Sequence, residues 1–495
     1  MTNTNTAATL LGVLDPYVPD AAMPWNAARV QHLYLRLGFG ADLARVTAGL
    51  ALSPAELVDQ LIDDIVSQGP PEPPYWGYWS RQDYEDNNDG DEDLYFVHKF
   101  ELRRRWTSEM ITEGLRSKLA LFWHNHFVTE EEVYDCNSHM WAYFELLHRR
   151  ATGNFRQFVE EMGKNPAMLV YLNGNENIAA EPNENYAREL MELFTMGEGN
   201  GYTQTDIVEV SRALTGWSVG YNCETNVVFN PNEFDDGPKT IFGQTGNWNY
   251  DDVHELIFTE RALETARYIC GKLYRHFVYE KPSQEVIDAL ALTFMDNDWE
   301  IAPVLRQLFK SAHFFSDQFI NTRIKSPQEV LVHLFTLLGL EAETDYPTEA
   351  LDTLTYYAQE LGQETFNPVD VAGWPGYHDW LNENTLTFRW SFTASFLYGY
   401  FSEYPTVRNK LVNLAIDLSD GVVNDEVLTT RRLVAFVLNQ ELDERLFETA
   451  LQYFKGEVPE NYFDEDQWNM YFPEAPYQVL NLLFYLTRLP EWQLC

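Results

Sequence analysis

Two histidines separated by a single residue, His124 and His126, are the first candidates for chemistry in this 495-residue chain. Imidazole is a common metal ligand and a common general base near neutral pH. The apolar spacing around the pair favours a helix, in which residues two apart point in nearly opposite directions, so one metal ion could not take both. In an extended segment both could bind the same ion. The apolar stripe through Leu119 and Phe122 places His126 toward the core, either as a buried hydrogen-bonded histidine or as a ligand or general base.

An amphipathic segment at residues 183–195 carries the carboxylates. Glu189 lies at the edge of its apolar stripe, so we expect this side chain to be partly buried and to need a partner. The candidate partners are a metal ion, Arg188, Arg212 and Lys239. Arg188 is spaced i, i+4 from both Glu184 and Glu192, which is equally typical of a solvated helix face whose pairs contribute only a few tenths of a kcal/mol.

A site between helices would join these groups. Its predicted catalytic residues are His126, Glu189 and Lys239. A divalent metal ion there would be held by imidazole and carboxylate groups, with a bound water as nucleophile for hydrolysis or with oxidation as the reaction. The predicted metal ligands are His124, His126, Glu184, Glu189 and Glu192. The alternative is that the same residues form a buried ion-pair and hydrogen-bond network that fixes the helices without catalysis.

Lys239 and two further segments admit more than one interpretation. Lys239 follows an Asp-Gly-Pro run that lacks the glycine frame of a phosphate-binding loop, so it marks either a turn into a strand or a functional cation. Residues 85–93, within the acidic run 83–93, resemble a calcium loop, but Phe96 stands at its twelfth position in place of the glutamate, which favours a solvated loop. The aromatic residues 374–380 could stack on a ligand or close the end of a helical core.

Helices must position these side chains, because helical signals dominate the chain. Residues 53–56 and 203–206 are capping-box starts, and a long helical pattern covers residues 99–128. Glycine, asparagine and aspartate punctuate short β-prone runs near residues 217–246. The sequence therefore predicts a mainly α fold. It has a multihelical body over residues 1–400 with a small β-hairpin insertion near 217–246, and a C-terminal helical lobe over 401–495.

The composition limits the partners and the compartment. The 34 Lys and Arg against 76 Asp and Glu give a formal charge of −42, which disfavours nucleic acids and anionic membranes and favours cations or basic partners. No apolar run is long enough to span a membrane, and the first residues lack a secretory pattern, so a cytoplasmic location is expected. The four cysteines form no C-x-x-C pair, which favours four reduced thiols.

Several segments together resemble one family of bacterial proteins, the domain of unknown function 1800 family. They follow the family's order along the chain, at residues 121–127, 183–195, 202–204, 212–217, 236–240, 272–275, 324–327 and 373–376. The resemblance implies a mostly helical fold. It also implies, by gene association, a partner from the domain of unknown function 1501 family, which is similar to phosphatases and sulfatases. Phe234 stands where many members have a histidine, so a metal site that used that histidine would lack it here.

Two functions follow as hypotheses. One is an enzyme with a polar site of His and Glu side chains between helices, acting as a metal-dependent hydrolase or oxidase. The other is a non-catalytic assembly or binding protein that acts with a phosphatase- or sulfatase-like partner.

Overall fold

The computed structural model describes residues 12–87, 93–340, 347–456 and 458–495. Within these ranges the chain forms 24 α-helices and four short strands, so the predicted mainly α fold is confirmed. The helices are α1 (Ala27–Leu37), α2 (Leu43–Leu50), α3 (Pro54–Ser67), α4 (Arg81–Asn87), α5 (Leu94–Thr112), α6 (Leu115–His124), α7 (Glu131–Tyr134), α8 (Asn137–Arg149), α9 (Phe155–Gly163), α10 (Pro166–Tyr171), α11 (Asn185–Glu189), α12 (Gln204–Ala213), α13 (Tyr250–Glu260), α14 (Ala262–Phe277), α15 (Gln284–Asp296), α16 (Ile301–Lys310), α17 (Pro327–Leu337), α18 (Thr348–Glu360), α19 (Glu383–Glu403), α20 (Pro405–Leu418), α21 (Glu426–Leu438), α22 (Glu444–Lys455), α23 (Asn461–Asp464) and α24 (Ala475–Leu486).

The β-insertion consists of two antiparallel hairpins at the predicted place in the chain. Strand β1 (Trp217–Val219) pairs with β2 (Val227–Phe229), and β3 (Lys239–Ile241) pairs with β4 (Gln244–Gly246). The strands are only three residues long, and each hairpin forms its own two-stranded sheet. Such short ribbons have marginal stability alone, so the surrounding helices must hold them.

Local capping signals predicted helix starts correctly. The Ser53 hydroxyl and the Glu56 carboxylate form the reciprocal capping box at the start of α3. Thr203 and Asp206 do the same for α12. In each box two backbone N–H groups of the first turn gain acceptors that the helix itself cannot supply.

The long helical pattern predicted at residues 99–128 is two helices. Helix α5 ends at Thr112 and α6 begins at Leu115, with Gly114 between them at φ +60°. Glycine adopts this left-handed conformation without the steric cost that a Cβ would bring, so the chain turns there. Helix α6 ends at His124, so His126 lies beyond the helix. The apolar stripe through Leu119 and Phe122 therefore does not continue to His126.

A disulfide between Cys136 and Cys223 corrects the prediction of four reduced thiols. Cys136 directly precedes α8, whereas Cys223 lies between β1 and β2, 87 positions later. Cys270 and Cys495 are free and buried. The Ser138 hydroxyl donates to the Cys223 carbonyl at 2.6 Å, so the same loop is anchored to α8 a second time. No local cysteine spacing indicates this pair, since the fold alone brings the two segments together.

Three other predictions concern the acidic run, the lack of a membrane-spanning segment and the division into two parts. Residues 88–92 of the acidic, calcium-like run lie outside the described residues. Within the described residues, no helix is both long and apolar enough to span a bilayer. Helix α19 crosses residue 400, and the division into a body and a C-terminal lobe at that point stays a prediction.

Candidate functional site

A cavity of about 530 Å³ lies where three helices and one loop meet. Lys118 and Phe122 of α6 form one wall, and Lys272, Arg275 and His276 of α14 form another. The start of α17 and the loop at residues 372–380 close the remaining sides. A concave site with apolar walls and a few convergent polar groups is the usual form of a small-molecule site.

A buried triad of charges forms part of the cavity wall. The Lys118 ammonium and the Arg323 guanidinium both donate to the same oxygen of Glu329. The other Glu329 oxygen accepts the Ser326 backbone N–H at 2.6 Å, completing a capping box at the start of α17. Burial favours the neutral acid, but the charges of Arg323 and Lys118 hold the pKa of Glu329 well below its usual range. The three side chains sum to one positive charge, and an electrostatic interaction with Cys495 also favours the charged form of Arg323.

Two more cations in the wall have no counter-ion in the part of the chain that the structure describes. Lys272 and Arg275 face the cavity from one side of α14, and neither side chain makes an ion pair or hydrogen bond within the described ranges. Burial, and then the charge of Arg275, lower the pKa of Lys272 to about 8. A pKa shift of this kind reports that the ammonium has lost water without gaining a carboxylate.

Neutral polar groups complete the interior. The Nε2 atom of His276 is buried and has no hydrogen-bond partner among the described residues. Burial, and then the charges of Arg323 and Lys118, keep the pKa of His276 well below its usual range, so the ring is uncharged. Burial raises the pKa of Tyr377 to about 12, and its hydroxyl donates to the Arg275 carbonyl at 2.5 Å.

The carboxylates of the cavity lie toward solvent. Glu280 and Asp379 line it but are exposed, unlike the buried Glu329. Water screens exposed charges, whereas charges in the interior act with a lower effective dielectric constant. Arg275 is exposed as well, so the least screened charges of the cavity are those of the buried triad and of the half-buried Lys272.

A second cavity of about 700 Å³ adjoins the first across Tyr268 and Arg275, which line both. Its opposite side includes the glycine-rich loop at residues 197–200. Arg275 is thus accessible from two directions, which extends the surface that a ligand bound to it can contact.

Asn125 fixes the loop that closes the cationic cavity. Its Oδ1 accepts the Trp374 backbone N–H at 2.6 Å, and the buried Trp374 ring packs edge-on against His124 with ring centroids 5.2 Å apart. Gly373 has φ +87°, and a Cβ there would lie 2.3 Å from Asn125 Oδ1 and 2.7 Å from its carbonyl oxygen. The aromatic loop therefore lines the cavity and also covers the core. This position agrees with both interpretations of its sequence, ligand stacking and closure of the core.

A glycine-to-alanine pair tests this closure. Gly373→Ala is expected to lower the free energy of unfolding by about 2–4 kcal/mol, because it adds a collision to the cost of a left-handed φ. Gly362 has a similar φ of +89° but open space around the added Cβ, so Gly362→Ala is expected to cost only about 1 kcal/mol. Urea unfolding of both variants measures the difference, and equal losses would show that the Asn125 contact does not hold the loop.

His124, a predicted metal ligand, is buried with both ring nitrogens engaged. Its Nε2 accepts the Phe366 backbone N–H at 2.9 Å, so the ring hydrogen is on Nδ1 and is donated to the Tyr143 hydroxyl at 2.7 Å. That hydroxyl in turn donates to the Phe127 carbonyl at 2.9 Å. Burial lowers the pKa of His124 to about 3. In this arrangement His124 ties three segments together as a neutral ring.

His126 is buried as predicted, but only one of its nitrogens is engaged. Its Nε2 donates to the Phe194 carbonyl at 3.1 Å, in a π-helical turn (Leu190–Thr195) that follows α11. Its Nδ1 is buried and has no partner among the described residues. Burial, and then the charge of Lys272, lower the pKa of His126 well below its usual range. His126 is therefore a neutral ring near the cationic cavity, although it does not line it.

The carboxylates of α11 and its continuation divide into paired and unpaired groups. Arg188 binds Glu184 at 2.9 Å and Glu192 at 3.3 Å, which confirms the predicted i, i+4 pairs. Glu189 is half-buried as predicted, and its carboxylate has no ion pair or hydrogen bond within the described ranges. Burial, and then the charge of Glu192, raise the pKa of Glu189.

Lys239 is buried at the start of β3, away from these groups. Its ammonium donates to the Asp235 carbonyl and, at 2.9 Å, to the Gly237 carbonyl, so it organises the turn that precedes the strand. It also lies 4.9 Å from the centre of the Phe234 ring. Of the two interpretations of Lys239, this geometry favours the turn.

The structure describes no grouping that completes the predicted metal site. Among the described residues, no three or more His, Cys, Asp or Glu side chains lie close enough together to hold a metal ion. The assignment of catalytic and metal-binding roles to His124, His126, Glu184, Glu189, Glu192 and Lys239 stays a prediction.

Sequence reasoning did not single out the charged residues of the cavity. Lys118, Arg275 and Arg323 each lie in a different segment, and no spacing along the chain links them. One signal was present for Lys118, which directly precedes the apolar run Leu119–Trp123 of α6 in a chain poor in cations. A lysine on an apolar helix is rarely buried unless it is paired, so it points to a charged partner in the core.

Compared with protein-family models, nearly the whole chain matches one family. The match covers residues 32–494, and the family is described as Protein of unknown function (DUF1800). The chain belongs to the DUF1800 family. No curated protein and no solved structure matches the chain.

The segments that carry the DUF1800 resemblance are not spread evenly over the fold. Four of them, at residues 121–127, 272–275, 324–327 and 373–376, contribute side chains or backbone to the cationic cavity. The segment at residues 183–195 lies behind it and meets residue His126 through the Phe194 carbonyl. Half of the eight segments of the DUF1800 resemblance therefore meet at the cavity.

Proposed function

We propose that this protein binds a small anionic ligand in the cationic cavity, through a phosphate, sulfate or carboxylate group. The observation that carries the proposal is the pair of cations Lys272 and Arg275, which line the cavity and have no counter-ion among the described residues. In a chain with a formal charge of −42, four cations converging on one cavity of about 530 Å³ cannot be a consequence of composition.

Without a bound anion, the cations of the cavity repel one another, which costs free energy in the folded state. Holding like charges close together in a partly buried cavity disfavours the folded state unless a counter-ion enters. An anion with several oxygens would gain charge-assisted hydrogen bonds from Arg275 and Lys272 and would relieve their mutual repulsion. The neutral His276 and Tyr377 add polar contacts without adding charge, which suits a ligand that also has a polar uncharged part.

Removal of either free cation is expected to weaken anion binding strongly. Arg275→Gln and Lys272→Gln should each raise the dissociation constant for sulfate or phosphate about 10- to 100-fold, the range expected for one lost charge-assisted hydrogen bond. Isothermal titration calorimetry at constant ionic strength, with chloride as the reference anion, measures the change.

Matched controls separate the cavity from general charge effects. Arg445 and Lys281 are exposed cations outside the cavity, so Arg445→Gln and Lys281→Gln should leave sulfate affinity unchanged within about twofold. The proposal fails if the unaltered protein binds neither sulfate nor phosphate more tightly than chloride, or if the control variants lose as much affinity as the cavity variants.

A metal-dependent hydrolase or oxidase built on His126 and Glu189 is the second candidate. It is favoured by the two groups that lack partners, the Nδ1 atom of His126 and the half-buried carboxylate of Glu189. Elemental analysis of protein purified without a His-tag tests it. About one or two equivalents of a transition metal, lost in both His126→Ala and Glu189→Ala, would support this candidate, and metal-free folded protein would remove it.

The location and the partner are further proposals. The cytoplasmic expectation came from the lack of a secretory pattern in the first residues, whereas the Cys136–Cys223 disulfide favours an oxidising compartment. The acidic surface suits a basic partner, and a phosphatase- or sulfatase-like protein of the domain of unknown function 1501 family remains the candidate from the resemblance. Co-purification with that partner tests the assembly hypothesis.

A further inference from the structure

The half-buried Lys272 differs from the buried lysines because it has no hydrogen-bond acceptor among the described residues. Lys118 donates to Glu329, and Lys325 donates to His333 Nδ1 and to the Trp492 carbonyl, both at 2.8 Å. Lys239 is occupied by backbone carbonyls. Within the described ranges the Lys272 ammonium makes no hydrogen bond or ion pair, and Lys272 lines the cavity.

The surroundings of Lys272 suit an amine that reacts. The nitrogen lies 5.4 Å from the centre of the Tyr268 ring, and Arg275 stands one helical turn further along α14. Desolvation beside a second cation is one of the ways in which proteins produce a nucleophilic lysine. With a pKa of about 8, roughly a tenth of the side chains carry a free amine at pH 7.

We propose that Lys272 is a nucleophile that forms an imine with an anionic carbonyl compound, such as a 2-oxo acid, whose acid group is bound by Arg275. The proposal rests on the proposed function, since the cations of the cavity select the anionic substrate. The free amine attacks the carbonyl carbon and a C–N bond forms. The two nitrogen-bound hydrogens then leave with the carbonyl oxygen as water, so no oxidant or reductant is needed.

Reductive trapping with glyoxylate tests the proposal on the full-length protein. Cyanoborohydride converts an imine with glyoxylate into a stable carboxymethyl group on the lysine nitrogen, which peptide mass mapping locates. At pH 7 we expect Lys272 to be labelled about tenfold or more faster than the exposed Lys281, because Arg275 holds the acid group of glyoxylate beside the desolvated amine of Lys272. Acetaldehyde, which carries no acid group, should lose most of this preference, and added sulfate should suppress the labelling by glyoxylate.

The conservative variant Lys272→Arg separates this proposal from anion binding. It keeps the positive charge, so sulfate affinity should stay within about threefold, but the fast label should disappear without moving to Lys118 or Lys325. Labelling of Lys272 no faster than Lys281 in a protein that binds sulfate would overturn the imine proposal and leave the anion site standing. If Lys272 is labelled fast but neither added sulfate nor the use of acetaldehyde slows the labelling, the proposal that the substrate is anionic would be overturned.

Discussion

Glu329→Gln is expected to lower the free energy of unfolding by about 3–5 kcal/mol, the largest effect among the single substitutions considered. Glutamine keeps the shape of the side chain but leaves the buried Lys118 and Arg323 without their shared counter-ion. Both cations are almost fully enclosed, so neither can recover the lost interaction from bulk water. Urea unfolding followed by circular dichroism measures the loss.

A partly exposed ion pair is the matched control for this loss. Arg104 and Asp352 lie 2.8 Å apart, and their side chains are 31% and 43% exposed, far more than those of the buried triad. Asp352→Asn should therefore cost less than about 1 kcal/mol. A loss of similar size for Glu329→Gln would show that the buried triad does not stabilise the fold.

The low pKa of Glu329 also predicts how the free energy of unfolding depends on pH. The pKa of Glu329 is lower in the folded protein than in the unfolded chain, so its contribution is complete above the unfolded value of about 4.3 and is lost as pH falls toward the folded value. The stability difference between the unaltered protein and Glu329→Gln should therefore shrink below pH 4.

Removal of the disulfide is expected to lower the free energy of unfolding by about 2–4 kcal/mol. The bond joins positions 87 residues apart, so the double variant Cys136→Ala/Cys223→Ala gives the unfolded chain much more conformational freedom. Urea unfolding of the double variant under non-reducing conditions measures the loss.

Reductant provides the control for this second effect. Dithiothreitol should destabilise the unaltered protein to nearly the level of the double variant and should leave the double variant unchanged. In urea without reductant, a thiol titration should detect two free cysteines in the unaltered protein, Cys270 and Cys495, and four after reduction. Four reactive thiols before reduction would contradict the disulfide.

The sequence predicted helix starts and strands correctly where the interactions that form them lie within a short stretch of chain. The capping boxes at residues 53–56 and 203–206 depend on contacts three residues apart, and both formed. The β-insertion was predicted from turn residues and β-prone runs within one stretch of chain, and its strands occupy residues 217–246. The helical pattern at residues 99–128 failed at Gly114, because periodicity alone does not report the single residue at which the chain turns.

The predicted site residues show the limit of arguments from residue type. His126 and Glu189 are buried or half-buried as expected, but burial does not distinguish a metal ligand from a structural group. The ring of His124 is occupied by Phe366 and Tyr143, which lie far from it along the chain. The packing of separate segments brings these partners to His124, so their positions along the sequence do not predict the contacts.

By itself the sequence determined the helical class, the capped helix starts, the position of the β-insertion and the family, because each depends on patterns within short segments or on their order. Only the tertiary structure decided that Cys136 meets Cys223 and that Lys118, Lys272, Arg275 and Arg323 surround one cavity. The physical reason is the range of the interactions. Hydrophobic periodicity and capping act over a few residues, whereas ion pairing, desolvation and disulfide formation act between groups that only the packed helices bring together.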